Sequence, residues 1–331
     1  MQQGMLSSLL LSAVLLQATP TALAIEMPSA NAQQWLQEES IRNKTAELLQ
    51  YAMLDEVDSL NFALQRLALP QQEAVRFLLL QKIEQLNLTL TPKMLIFVDA
   101  QQAIVPTYQI VEKEEGYEFS TPAFNSPSIA NRLIKKQQQE QTILDFLIKV
   151  EQKDLILKTW LSGSANQVRI REALLIRELD RLSTEALLYL AAQLTSESVT
   201  SWLPSSQVMV RLAQVSENPD IYKLLWLMRA DFHLEQELVR LASVGNEFAI
   251  SQIILASENP SLKIQAIDEL VRIEPMPPLV REFLIAKMST SDDVSLVASA
   301  LVEQGQSNWL KELVSSNHRV KSHNILQVLS Q

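Results

Sequence analysis

The chain has 331 residues, 47% of them hydrophobic and 20% charged, and its 38 acidic and 28 basic side chains give a net charge of −10. That length can bury a sizeable core in two regions, and the acidic balance disfavours nucleic acid and anionic membrane as partners. Only five glycines occur, too few for phosphate-cradling loops or the tight turns of crowded β-proteins, so the composition points to helices.

The first 24 residues carry no charged side chain, and Met5 to Leu16 reads MLSSLLLSAVLL. Ala22 and Ala24 satisfy the small-x-small rule, so residues 1–24 are expected to be a signal peptide cleaved after Ala24. Gln17, Thr19 and Pro20 interrupt the apolar run before it reaches the roughly 20 residues of a membrane span, so no stable membrane insertion is expected after cleavage. Without cysteine there is no disulfide framework and no lipid-accepting thiol, and the expected location is the bacterial periplasm or exterior.

Residues 25–130 read as an N-terminal region of helices with a small β-hairpin. NAQQWLQEESIRNKTAELLQYAMLDEVDSLNFALQRLAL and PQQEAVRFLLLQKIEQLNL have helical apolar spacing. MLIFVDA, QAIVPTYQIVE and GYEFSTPAF are short and rich in β-branched or aromatic residues, which predicts two or three strands from about Met94 to Thr121, with Pro106 on an edge. NSPS at Asn125 to Ser128 closes this part.

From residue 131 to 331 the chain reads as wholly helical, in segments of ten to twenty residues joined by polar links. The link SENP occurs twice, at Ser216 and Ser257, and is suited to capping a helix, with Asn as cap and Pro as first helical residue. Pairing 219–230 with 233–243, 246–256 with 260–273, 277–288 with 292–304 and 307–315 with 318–329 gives hairpins starting 27, 31 and 30 residues apart, the mark of a stacked array. In the second helices, Leu262, Ala266 and Leu270, then Val294, Ala298 and Val302, then Val320, Asn324 and Val328 follow a polar turn at four-residue spacing. These segments resemble short HEAT-like repeats of the phycobilisome-lyase type over roughly 165–331. The resemblance implies an α-solenoid presenting a curved surface to a partner, and it implies no reaction.

No metal or cofactor is expected. His233, His318 and His323 lack a metal-ligand spacing, there is no G-x-S-x-G, and no glycine-rich nucleotide pattern is present. The five tryptophans, at helical spacing among aliphatic residues, are expected to pack rather than to bind. A local positive excess, ten basic against seven acidic residues over 131–183, makes Lys135, Lys136, Arg169, Arg171, Arg177 and Arg181 candidates for binding an acidic peptide. The opposing reading has Arg177–Asp180 and Glu178–Arg181 satisfying one another on a solvated helix. The expected function is a non-enzymatic, exported repeat scaffold that binds another protein or peptide in the cell envelope. The alternative is a lyase or hydrolase whose carboxylates converge only in three dimensions.

Overall fold

The computed structural model describes residues 24–114, 117–196 and 202–330. Among these the chain is mainly helical, with eighteen α-helices and three short strands, and it divides into two compact units, one up to Gln141 and one from Thr142. The expected signal peptide lies, up to Leu23, outside the described residues. No helix among the described residues is long and apolar enough to cross a membrane.

In the first unit, strand β1 (Ile25–Glu26) leads into helices α1 (Ser29–Gln37), α2 (Glu39–Met53), α3 (Val57–Gln65), α4 (Gln71–Gln85) and α5 (Pro92–Gln102). Strands β2 (Tyr108–Glu114) and β3 (Tyr117–Pro122) follow, then helix α6 (Ser126–Glu151). Helix α2 lies against α4, and Ile41, Leu48, Leu79, Leu80 and Ile83, at helical spacing, fill a core with Phe97, Phe124 and Ile129. Strand β1 runs parallel to β2 with Ile25 beside Tyr108, and β2 pairs antiparallel with β3 from Gln109–Pro122 to Glu114–Tyr117. The buried Glu73 of α4 accepts the backbone N–H of Thr107 (2.7 Å) and of Tyr108 (3.4 Å), tying the start of β2 to that helix.

MLIFVDA, expected as the first strand, is instead part of α5. Thr91 Oγ1 accepts the Met94 N–H at 3.2 Å and Pro92 opens the helix, where its missing N–H costs nothing. Met94, Phe97, Val98 and Gln101 then form one buried face, so the apolar run obeys the helical period. Pro106 accordingly precedes β2 rather than lying on an edge strand. At the NSPS link, Asn125 Oδ1 accepts the Ser128 N–H at 3.1 Å, which starts α6. The division between units falls inside this helix, later than the expected boundary after Ala130. Ile129, Ala130 and Leu133 belong to the first core, and Phe146 and Val150 to the second.

The second unit continues with α7 (Leu157–Trp160) and α8 (Ala165–Glu178), the latter extended by a single 3-10 turn, Leu179–Arg181. Helices α9 (Thr184–Thr195), α10 (Ser206–Ser216), α11 (Pro219–Trp226), α12 (Phe232–Val244), α13 (Glu247–Ala256) and α14 (Lys263–Val271) come next. The chain ends in α15 (Pro278–Met288), α16 (Val294–Glu303), α17 (Ser307–Ser316) and α18 (Ser322–Leu329). Several starts are capped as their sequences suggest: Ser164 closes a capping box with Gln167, and Ser183, Ser205, Asn218, Asp231 and Asn246 each accept a first-turn N–H. Packing follows two rows. In one, α8, α10, α12, α14, α16 and α18 each touch the next; in the other, α9, α11, α13 and α15 do the same. No helix here buries its apolar face alone, and one continuous core runs from Phe146 to Ile325.

Candidate functional site

The six basic candidates fall into both units, and most are engaged in local structure. Lys135 and Lys136 belong to the first unit. Lys136 donates to Asn87 Oδ1 at 2.5 Å and lies 3.9 Å from Glu140, while Lys135 is exposed and makes no ion pair among the described residues. In the second unit, Arg169 donates to Asn166 Oδ1 at 2.9 Å. Arg171 caps the preceding turn, donating to the carbonyls of Trp160 (2.7 Å) and Ser162 (2.9 Å). Arg177 and Arg181 both donate to the buried Glu178, at 2.6 and 2.8 Å. Of the two pairs expected on this helix, Glu178–Arg181 is present, whereas Arg177 holds Glu178 instead of Asp180, and Asp180 pairs with Arg211.

Glu178 belongs to a recurrence that sequence reasoning missed. The tetrapeptide E-L-x-R occurs at 178–181, 237–240 and 269–272, and the two latter copies are identical, ELVR. Each Glu is buried and holds its own Arg three residues on, at 2.8 Å (Glu178–Arg181), 2.6 Å (Glu237–Arg240) and 2.7 Å (Glu269–Arg272). The same position is Val208 in α10, with Arg211 three later, and Ala300 in α16, with Glu303 three later. The next residue in every copy, Leu179, Met209, Leu238, Leu270 and Leu301, is fully buried. Arg181, Arg211, Arg240 and Arg272 thus mark equivalent places on successive helices of one row, 30, 29 and 32 residues apart. A search for repeated tetrapeptides, as opposed to capping links, would have found it.

The first two rungs are joined sideways through α10. Arg211 pairs with Asp180 and donates to Gln214 Oε1 at 3.2 Å; Gln214 Nε2 donates to Glu237 Oε2 at 2.6 Å. Glu237 also accepts the Tyr222 hydroxyl at 2.7 Å and two Arg240 N–H bonds at 2.6 and 2.8 Å. Burial, with the Glu237 carboxylate beside it, pushes the Tyr222 phenol far above its ordinary range; hydrogen bonding to Glu237 raises Arg240 despite partial burial. At Glu178 burial works upward, but Arg177 and Arg181 together outweigh it and hold the carboxyl below its usual value. Bound in this way, the Glu178 carboxylate acts as a brace.

The two SENP copies do different work. In the first, Asn218 Oδ1 caps α11 by accepting the Asp220 N–H at 2.9 Å, with Pro219 as first helical residue. In the second, Asn259 Oδ1 accepts the Ser261 N–H at 2.9 Å, while its Nδ2 reaches back to the carbonyls of Trp226 and Met228, both at 2.8 Å. The helix that follows begins only at Lys263. The second copy therefore clamps the end of α11 to the turn after α13, and Ser261 Oγ adds a bond from the Ala230 N–H at 3.0 Å. Between these turns lies a cleft of about 610 Å³ lined by Trp226, Leu227, Arg229, Leu255 and Asn259 among others.

Trp226 is buried, and Trp160, Trp202 and Trp309 pack partly buried against the same core, as Trp35 does in the first unit. Among the described residues no three His, Asp or Glu side chains converge as a metal-holding group. No protein-family model, no curated protein and no solved structure matches this chain.

Proposed function

We propose that residues 142–331 form an α-solenoid of HEAT-like helical hairpins, and that the chain is an exported, non-enzymatic scaffold binding another protein or peptide in the cell envelope. The observation that carries this reading is the two-row packing with its recurring E-L-x-R pair, together with the bonds Arg211–Asp180 and Gln214–Glu237 that brace neighbouring helices of one row. Residues that carry the HEAT resemblance support it: Leu262, Ala266, Leu270, Val294 and Ala298 are all in the core. Lys263, in the place the resemblance gives to Arg, reaches Asp293 of the next hairpin at 3.0 Å. Stacked arrays of this kind offer long surfaces and few enclosed pockets, which suits recognition better than chemistry.

The test is affinity capture from a cell-envelope extract with the purified chain, read by mass spectrometry. One protein enriched in near-stoichiometric amount over a blank resin is the expected result, and no enrichment in repeated captures retires the scaffold reading. N-terminal sequencing of the exported protein should begin at Ile25; an intact Met1 in the membrane fraction would replace export by anchoring.

A further inference from the structure

The cleft beside the second SENP is preorganised and incompletely used. Asn259 and Ser261 fix its two turns to each other by three hydrogen bonds of 2.8 to 3.0 Å, so an occupant meets a formed surface and little ordering entropy is lost on binding. Its walls are mostly apolar, with Leu227 80% and Leu255 36% exposed. Two of its three charged side chains already have partners: Lys223 is held by Asp220 and Glu258 by Lys287, each at 2.8 Å. Arg229 is exposed and makes no ion pair among the described residues. The unspent chemistry of the cleft is therefore an apolar surface and one cation.

We propose that this cleft binds a short segment of another protein in which an aliphatic or aromatic side chain stands next to a carboxylate. This rests on the scaffold reading and gives it a place and a ligand chemistry. The apolar side chain covers Leu227 and Leu255, and the carboxylate pairs with Arg229. A basic segment would set its charge against Arg229 with only the neutralised Glu258 to compensate, which decides between the two signs.

The experiment uses the purified chain and fluorescein-labelled peptides drawn from a library fixed for Leu or Phe beside Asp or Glu. Each peptide has a twin with Lys for the acid and a twin with Ser for the apolar residue. Anisotropy should show binding by the acidic apolar peptides and by neither twin. Arg229→Gln should weaken binding about fivefold, the size expected for one exposed ion pair, and flatten its salt dependence. Leu227→Asp should abolish binding, and both variants should keep the parent's helicity because both side chains are exposed. In a ¹⁵N–¹H spectrum the Trp226 indole signal, identified by its loss in Trp226→Phe, should move on addition of peptide. Equal binding of the Lys twin, or unchanged affinity in both variants, overturns the proposal. So does self-association that Leu227→Asp removes, which would assign the cleft to a second copy of the chain. If no library peptide binds while Leu227→Asp still captures the parent's envelope partner, the cleft proposal falls and the scaffold stands. If the parent captures no partner at all, the scaffold reading fails first.

Discussion

Glu237 is the residue on which most depends. Its fully buried carboxylate accepts four hydrogen bonds, from Gln214, Tyr222 and twice from Arg240. Removing one partner of a buried pair costs about 3–5 kcal/mol when the other stays buried, but Arg240 is 40% exposed and can rehydrate. Glu237→Ala should therefore cost about 2 kcal/mol, mostly from the stranded Tyr222 hydroxyl and Gln214 amide, as read by urea denaturation. Two other carboxyls should give opposite pH slopes. Glu178 is held below its ordinary pKa, so its brace stabilises above the unfolded value near pH 4 and is lost as pH falls through the folded one. Glu178→Gln should flatten the acid limb of the stability curve. Asp268 is raised, by burial first and by Glu303 beside it, so its charge works against the fold at neutral pH. Asp268→Asn should then raise Tm at pH 7 and lose that advantage as the pH approaches 4; a Tm series against pH separates the two cases. Neither carboxyl was legible in the sequence as more than a surface charge, because the burial of Glu178 beside Leu179 and the nearness of Asp268 to Glu303 arise only through the fold.

Among the elements, caps and spacing made most of the second unit legible, and they also explain the one misread helix. The second-unit helices α11 to α18 occupy the segments that polar links delimit, since apolar periodicity and side-chain caps act locally. In α5 the run MLIFVD is β-branched and aromatic, yet the Thr91–Pro92 start and the buried Met94, Phe97, Val98 and Gln101 impose the helical period. Strand β1 is too short for any pattern to reveal, because its pairing partner lies at Tyr108 and Gln109. The SENP copies show that identical tetrapeptides diverge once a second helix is within reach. Asn218→Ala should cost about 1 kcal/mol, the worth of one cap. Asn259→Ala should cost about 2 kcal/mol, since it frees two carbonyls as well as its own turn. Hydrogen exchange tells them apart: the first should speed exchange in α11, the second at the end of α11 and around Ser261 together. Equal patterns in the two variants would mean that Asn259 is not a clamp.

At the scale of the molecule, the division into two units and the two-row packing of the second follow from where apolar residues can find cover. One core gathers Ile41, Leu79, Phe97 and Phe124; the other extends from Phe146 to Ile325. The sequence located the change of texture near Asn125 but not the division itself, because α6 is periodic throughout its 26 residues and only tertiary contacts assign its two halves. The binding cleft was illegible for a similar reason. Its walls come from Trp226 to Arg229 and from Leu255 to Ser261, stretches about thirty residues apart that read separately as a helix end and a loop.

The identical rungs at Glu237–Arg240 and Glu269–Arg272 make the second unit divisible. Excising residues 241–272 removes 32 residues, one whole period, and rejoins ELVR to Ile273 with the local sequence unaltered at the seam. In an array held by nearest-neighbour contacts, such a shortened chain should still fold, with a helical circular dichroism spectrum and a lower Tm. It would also lack Leu255, Asn259 and Ser261, and with them one wall of the cleft. Gain or loss of a period is thus a route by which a chain of this design can change its length without inventing a new junction, and can acquire or discard a binding position in the same step.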